Sequence, residues 1–274
     1  MIINSTLKGS VIGSPIEHSL SPLLHREALT FLDISGEYER REVRLGELGQ
    51  FFADHMNYFD YLSITMPLKE EALQLPVEVD SFALKIQSSN TLYRRGESWH
   101  LTSTDGVGLI SALAHQGYSK FERVLILGAG GTARAAVGAL DGLTAEIVVL
   151  GRSSTRREAI ESIVAQSALE YRRWVDDPGF SDFDLVINTT PAGAADLLAD
   201  SVTHGRSGLL FDVIYKPWPT PLASRWQDAG GIVISGIELL LYQAIAQLKL
   251  VLDRELDELA LATHLRPILM KAIR

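Results

Sequence analysis

The stretch Val124-Leu125-Ile126-Leu127-Gly128-Ala129-Gly130-Gly131-Thr132-Ala133-Arg134 decides the fold class. Its four consecutive apolar residues, stopped by glycine, read as a buried strand. Gly128 permits a tight turn, Gly130 lets backbone approach a pyrophosphate, and Ala133 lets the next helix sit close to the strand. The N-terminus of that helix offers unpaired N–H groups and a partial positive charge, which suits phosphate. A GxGxxA match alone is weak. A strand before it, a helix after it and a second strand at the right distance make it a dinucleotide-binding signal.

That second strand, Ile147–Leu150, runs into Gly151-Arg152-Ser153-Ser154-Thr155-Arg156-Arg157. Many dinucleotide folds place an acidic residue about 20 positions past the glycine loop, where it accepts from the adenosine 2′-OH. An acid there would repel a 2′-phosphate. Here the acid is missing, and guanidinium forks that match phosphate oxygens stand beside two hydroxyls. The segment therefore points to NADP rather than NAD, with Arg152, Ser153 and Arg156 as candidate contacts and Arg134 as a further one. Arg157 also fits an ordinary solvated helix start.

Working outward, short apolar runs alternate with helical patterns along all 274 residues. Strands are predicted at Ser10–Ile12, Tyr38–Glu42, Tyr61–Ile64, Asn90–Arg94, Val124–Leu127, Ile147–Leu150, Leu185–Asn188, Leu209–Asp212 and Ile232–Ile234. Helices are predicted at Pro22–Leu32, Leu45–Ala53, Leu68–Leu75, Gly106–His115, Gly130–Gly142, Arg156–Gln166, Pro221–Ala229, Ile237–Leu250 and Arg254–Ile273. Strands separated by helices imply parallel pairing and an α/β architecture. Polar, glycine-containing joints near Ser103–Gly108 and Gly236 divide the chain. Residues 106–236 form a predicted Rossmann-like dinucleotide-binding domain, and 1–105 plus 237–274 form an α/β substrate domain, with a cleft expected between them.

Composition narrows the function. Hydrophobic residues make up 46% and charged residues 22%, which predicts a packed core. Cysteine is absent, so disulfides, thiolate metal sites and a cysteine nucleophile are excluded. Seven histidines show no metal spacing, and no metal is expected. The net charge of −9 argues against non-specific nucleic-acid binding. Glu238, Gln243, Gln247 and Lys249 interrupt the most apolar window, from Gly231 to Val251, which suits a buried helix better than a membrane span. No signal peptide is evident, and a cytoplasmic protein is expected.

Other polar clusters stand at element ends, where α/β sheets bind ligands. Ser19 and Ser21 flank a helix start, with Ser21 placed to cap it and Pro22 at the first helical position. Small donors there suit a carboxylate or hydroxyls, and suit simple capping equally. Lys69 follows a strand and a proline turn, although spacing alone favours an ordinary surface lysine. Asp105 stands before a helix and reads equally as its N-cap.

Taken together and in order, these segments resemble the shikimate dehydrogenase family. The family's GxPI turn and HSxSP motif appear as Gly13-Ser14-Pro15-Ile16 and His18-Ser19-Leu20-Ser21-Pro22. Its NVTxPxK motif appears as Ser63-Ile64-Thr65-Met66-Pro67-Leu68-Lys69. Asn90-Thr91 and Ser103-Thr104-Asp105 match its NT and NTD motifs, and Gly128 to Ala135 matches its GAGGAxRA loop with Thr132 in place of alanine. Gly151 to Arg156 stands for NRTxxR, Asn188 to Gly193 for NATPxG, Asp212 to Leu222 for DxxYxPxxTPL, and Gly236 to Ala244 for GxxMLxxQA. Ser63, Ser103 and Gly151 replace asparagines, and Leu239 replaces a methionine.

The resemblance implies NADPH-dependent, reversible reduction of 3-dehydroshikimate to shikimate in aromatic amino-acid biosynthesis. It implies catalytic roles for Lys69, as proton donor or electrostatic clamp, and for Asp105 as its orienting partner. It assigns the substrate carboxylate to Ser19 and Ser21, ring hydroxyls to Thr65, Asn90 and Gln243, and a further contact to Tyr215. Cofactor contacts fall on Gly128, Ala129, Gly130, Gly131, Thr132, Arg134, Arg152, Ser153, Arg156, Thr189 and Gly236. The expected partners are the small-molecule substrate and the cofactor, with no nucleic acid or membrane, in a monomer or homodimer. A quinate or amino-shikimate paralogue and a non-catalytic NADPH-binding sensor are the rival readings, and a folate dehydrogenase is disfavoured by the serine motif.

Overall fold

The computed structural model describes residues 6–174, 177–203 and 208–273. The chain divides into two compact units, one formed by Met1–Gly108 with Leu240–Ala272 and the other by Leu109–Leu239.

The first unit opens with β1 (Leu7–Gly13), α1 (Ser21–Phe31), β2 (Gly36–Glu42), α2 (Leu48–His55) and β3 (Tyr61–Ile64). It continues with β4 (Glu78–Val79), α3 (Ser81–Ile86), β5 (Thr91–Arg95), β6 (Ser98–Thr102) and the start of α4 (Asp105–His115). The six strands form one sheet in the order β2-β1-β3-β5-β6-β4. β1 pairs in parallel with both β2 and β3, as alternating strands and helices require. β5 runs antiparallel to β3 and to β6, so the sheet is mixed and the all-parallel expectation fails here. The reason is local: β5 and β6 are joined by a turn too short for a crossover helix. One face of this sheet buries Ile12, Leu62, Ile64, Leu92 and Leu101 against Leu48, Phe52 and Leu68.

The second unit contains β7 (Phe121–Leu127), α5 (Gly131–Leu140), β8 (Thr144–Gly151), α6 (Arg157–Glu161) and β9 (Ala168–Arg173). β10 (Leu185–Asn188), β11 (Leu209–Asp212), α7 (Pro221–Asp228) and β12 (Ile232–Ser235) follow. Its sheet has the order β12-β11-β10-β7-β8-β9 with every pair parallel. Counted within the unit this is 6-5-4-1-2-3, the doubly wound Rossmann order. The order reverses at β7, so the glycine loop leaves the sheet at its switch point. Strands buried on both faces read as unbroken apolar runs, which is why VLIL, IVVL and LVIN were legible. Finally α8 (Gly236–Leu252) and α9 (Glu258–Ala272) return the chain to the first unit.

Several local expectations need correction. The predicted helix Leu68–Leu75 is a turn followed by a 3-10 segment at Glu71–Gln74. The predicted helix Arg156–Gln166 is a 3-10 turn at Ser154–Arg156 followed by the five residues of α6. Ser21 does not cap α1 but is its first residue, because Leu20 already has helical backbone angles and is the N-cap. The Ser19 Oγ accepts the Ser21 N–H instead, at 3.3 Å. The strands β4, β6 and β9 and the short α3 were not anticipated. Among the described residues no helix is long and apolar enough to cross a membrane.

Candidate active site

Two turns at the ends of parallel neighbours begin the site in the first unit. The Ser14 N–H donates to the Met66 carbonyl at 3.0 Å, and a Cβ on Gly13 would lie 2.5 Å from the Thr65 methyl carbon. Only glycine allows the turn after β1 to approach the turn after β3 this closely. The serine motif is thereby brought beside Thr65, and Lys69 follows four residues later. The Lys69 carbonyl accepts from the Ser89 N–H at 2.9 Å and the Ser89 hydroxyl at 3.2 Å, which fixes the lysine's backbone.

Lys69 Nζ donates to Asp105 Oδ2 in an ion pair that is largely withdrawn from solvent. Asp105 is the first residue of α4, and its Oδ1 accepts from Asn90 Nδ2 at 2.7 Å. Asn90 Oδ1 accepts from the Thr104 N–H at 2.7 Å and from the Thr91 hydroxyl at 2.8 Å. Those contacts leave only the NH₂ end of Asn90 to face Asp105. Its second proton points to Gln243 Oε1 at 3.4 Å, a longer and weaker contact. Gln243 sits on α8 at a close crossing with α4, since a Cβ on Gly108 would lie 2.7 Å from the Gln243 backbone nitrogen. The first unit thus gathers Lys69, Asp105, Asn90 and Gln243 into one hydrogen-bonded group, with Thr65 and the serine motif at adjoining strand ends.

Behind this group lies a neutral buried network that the sequence reading missed. Tyr38 donates to the Ser63 hydroxyl, and Ser63 donates to Gln247 Oε1 at 2.7 Å. His25 stacks on Tyr38 with ring centroids 4.1 Å apart, and its Nδ1 lies 3.1 Å from the Tyr61 hydroxyl. Burial pushes His25 down to about 3 and lifts both phenols above their usual range, so all three are uncharged. The available signal was Gln247, a polar residue one helical turn past Gln243 in the most apolar window of the chain.

In the second unit, Gly128 has φ +107°, a left-handed conformation that favours glycine. A Cβ there would also lie 2.6 Å from the Thr189 hydroxyl, which donates to the Leu127 carbonyl at 2.7 Å. Gly130 is the N-cap of α5 and provides no side-chain cap for Gly131, Thr132 and the rest of the first turn. Two guanidinium groups converge on the Ala129 carbonyl, from Arg156 at 3.2 Å and from the buried Arg134 at 3.5 Å. Ser153 donates to Thr155, and Arg152 is exposed beside them. Arg157 turns away to pair with Glu161 at 2.7 Å, as an ordinary helix-surface residue does. Tyr215 also belongs to this unit, in the segment after β11. That segment is anchored by buried Asp212, which accepts from Asn188, Thr220 and the Ile214 N–H. Burial raises Asp212 above the usual carboxylate range against the pull of those donors. Gly236 begins α8, where a Cβ would lie 1.9 Å from the Val213 carbonyl oxygen.

A family profile described as the shikimate dehydrogenase substrate binding domain matches residues 11–92. A Methanococcoides burtonii shikimate dehydrogenase (NADP(+)) is 36% identical over 85% of this chain and 88% of its own length. The chain belongs to the shikimate dehydrogenase family. The crystal structure of the Mycobacterium tuberculosis shikimate dehydrogenase superposes with a TM-score of 0.86 at 33% identity, covering 95% of this chain and 99% of that one. The Thermus thermophilus shikimate 5-dehydrogenase, solved in complex with NADP(H) and shikimate, gives 0.83 at 28% identity over 96% and 99%.

Within that family the departures of this chain acquire structural meaning. Ser63 is committed to Tyr38 and Gln247, so its hydroxyl is already satisfied. Gly151 leaves room for Tyr171, whose hydroxyl would lie 1.7 Å from a Cβ at position 151 and donates to the Ser153 carbonyl at 2.7 Å. Leu239 is buried. Ser103 is buried with its hydroxyl unpaired among the described residues, and nothing in the structure explains that exchange.

Proposed function

We propose that this chain catalyses the NADP-dependent interconversion of 3-dehydroshikimate and shikimate, a step of aromatic amino-acid biosynthesis. The observation that carries the reading is the Lys69–Asp105 pair, held by Asn90 beside Thr65 and Gln243. A non-catalytic sensor has no use for a withdrawn, oriented ammonium. In this reading residues 1–105 with 237–274 hold the substrate, and 106–236 hold NADP.

The cofactor residues fit a pyrophosphate and a 2′-phosphate. A backbone cradle that excludes side chains at Gly128, an α5 N-terminus without a side-chain cap, and converging guanidinium groups are what such anions require. Gly128 to Thr132 with Arg134, Thr189 and Gly236 would hold the pyrophosphate and nicotinamide ends, and Arg152, Ser153 and Arg156 the adenosine phosphate. When bound, NADPH supplies a hydride to the ketone carbon.

The protein's own task is the oxygen. As hydride arrives, the carbonyl oxygen gains alkoxide charge, and the Lys69 ammonium stabilises it and passes it one proton. Asp105 keeps the ammonium aimed. Ser19 and Ser21 bind the carboxylate through converging neutral donors, with Tyr215 as a further contact. Thr65 and Gln243 take ring hydroxyls, and Asn90 takes one on the proton it now shares weakly with Gln243. The enzyme works in the cytoplasm as a monomer or homodimer, without nucleic-acid or membrane partners.

The test is turnover of shikimate, quinate and amino-shikimate with NADP⁺ and with NAD⁺. Turnover fastest with shikimate and NADP⁺ supports the proposal. Preference for another acid replaces the substrate, and NADPH binding without any turnover establishes a sensor.

A further inference from the structure

We propose that Gln247 and Ser63 act as a positioning pair that sets the orientation of Asn90, and through it the aim of Asp105 on Lys69. This deepens the function proposed above and rests on it for the catalytic consequence.

Gln247 ends in a fully buried primary amide. Gln247 has no solvent exposure, so each of its polar atoms must find a protein partner. Its Nε2 donates to the Asn90 carbonyl at 3.1 Å and to the Thr91 hydroxyl at 2.8 Å. A carbonyl only accepts, so the nitrogen of Gln247 has to face Asn90 and its oxygen has to face Ser63. Thr91 then accepts a hydrogen bond from Gln247, and its own single proton goes to the nearer acceptor, Asn90 Oδ1 at 2.8 Å, rather than to the Thr104 hydroxyl at 3.2 Å. With Oδ1 occupied by Thr91 and Thr104, Asn90 presents N–H to Asp105.

The hydrogen bonds therefore run in one direction, from Tyr38 through Ser63, Gln247, Thr91 and Asn90 to the Asp105 carboxylate. Each donor in such a series polarises the next. No link can be reversed without leaving an acceptor facing an acceptor. The series ends on the carboxylate that steadies Lys69. Ser63 belongs in it because a hydroxyl there accepts from Tyr38 and donates to Gln247, a combination that keeps the direction unbroken.

The decisive variant is Gln247→Met, which keeps approximate volume and removes all three hydrogen bonds; Ser63→Ala is the milder second variant. The expected result for Gln247→Met is a fall in kcat with shikimate of about tenfold or more, since small misplacements of a catalytic group are costly. KM for shikimate should rise by less than kcat falls, through the ring-hydroxyl contact of Asn90, and the dissociation constant of NADP⁺ should move by no more than about threefold. The primary isotope effect with shikimate deuterated at the reacting carbon should rise, because only the proton-coupled hydride step is slowed. Ser63→Ala should change the same quantities in the same direction by less. Side-chain amide exchange at Asn90 should accelerate in both variants. An unchanged isotope effect and unchanged Asn90 exchange, in a folded variant of either kind, would overturn the pair. If the natural chain fails to turn over shikimate with NADP⁺, the functional reading falls by itself, and Asn90 exchange still decides the positioning.

Discussion

Replacing Lys69 by methionine removes a charge while keeping most of the side chain's bulk. In the folded protein the lysine and Asp105 side chains are 18% and 8% exposed, so water screens the pair only in part. On the proposed mechanism the substitution takes away both a proton donor, a role worth roughly 10² to 10⁴ in rate, and a donor facing the alkoxide, worth about 10² to 10³. One ammonium performs both roles, so the factors do not multiply. A fall in kcat of about 10³ is expected, or about 4 kcal/mol of barrier. The stability cost is smaller, because Asp105 keeps its bond from Asn90 at 2.7 Å and some access to solvent. About 1–3 kcal/mol is expected, below the usual penalty for orphaning a fully buried charge. The assay is steady-state oxidation of shikimate followed through the reduced nicotinamide, with NADP⁺ affinity measured by calorimetry and stability by urea. Activity retained within about tenfold, roughly 1.4 kcal/mol, would refute the assignment of Lys69. A parallel collapse of NADP⁺ affinity would show that the substitution acts on the fold instead.

Three other outcomes follow from particular contacts. Arg156→Gln removes charge-assisted hydrogen bonds worth about 1.5–3 kcal/mol, so KM for NADP⁺ should rise roughly tenfold to a hundredfold while that for NAD⁺ stays put; equal loss for both would take Arg156 off the 2′-phosphate. Gly151→Asn must evict Tyr171, whose hydroxyl would lie 1.7 Å from the new Cβ, and forfeits its bond to Ser153. NADP⁺ should bind a few-fold more weakly, in line with about 1 kcal/mol for a neutral hydrogen bond, and Tyr171→Phe, which loses the same bond, should weaken binding alike with no further loss when the two changes are combined; additive losses would disprove the steric account. His25 is held neutral in the fold, its pKa lowered by burial from 6.5 to about 3, so the unfolded chain binds more protons between those values. Stability should therefore be whole above pH 6.5 and decline on acidification, by about 2 kcal/mol at pH 5, and His25→Phe should flatten that slope; an identical urea midpoint shift in the variant would exonerate His25.

The second unit was readable because its signals are local. A glycine that must turn at φ +107° and strands buried on both faces declare themselves within a few residues. β9 gives no apolar run because it is an edge strand with polar residues, and β6 gives none because its two apolar residues, Trp99 and Leu101, alternate with polar ones. The reversal of β5 was invisible, since strand direction is settled by pairing and not by composition. The Leu68–Leu75 segment has helical spacing, yet it folds as a turn and a 3-10 segment. At the candidate site, motif resemblance singled out Lys69, Asp105, Asn90 and Gln243. It could not single out Gln247, whose bond to Ser63 spans 184 positions and whose neighbours in sequence say only that a helix is buried.

The division of the chain has a consequence for its synthesis. Leu109–Leu239 is one uninterrupted stretch and can assemble its sheet as soon as that stretch leaves the ribosome. The unit around Lys69 cannot, because Gln243 and Gln247 lie on α8 and are translated after everything they hold in place. Until α8 docks, Asn90 and Thr91 lack their bonds to the Gln247 amide, so on the proposed reading a nascent chain carries Lys69 and Asp105 without yet having the means to aim them.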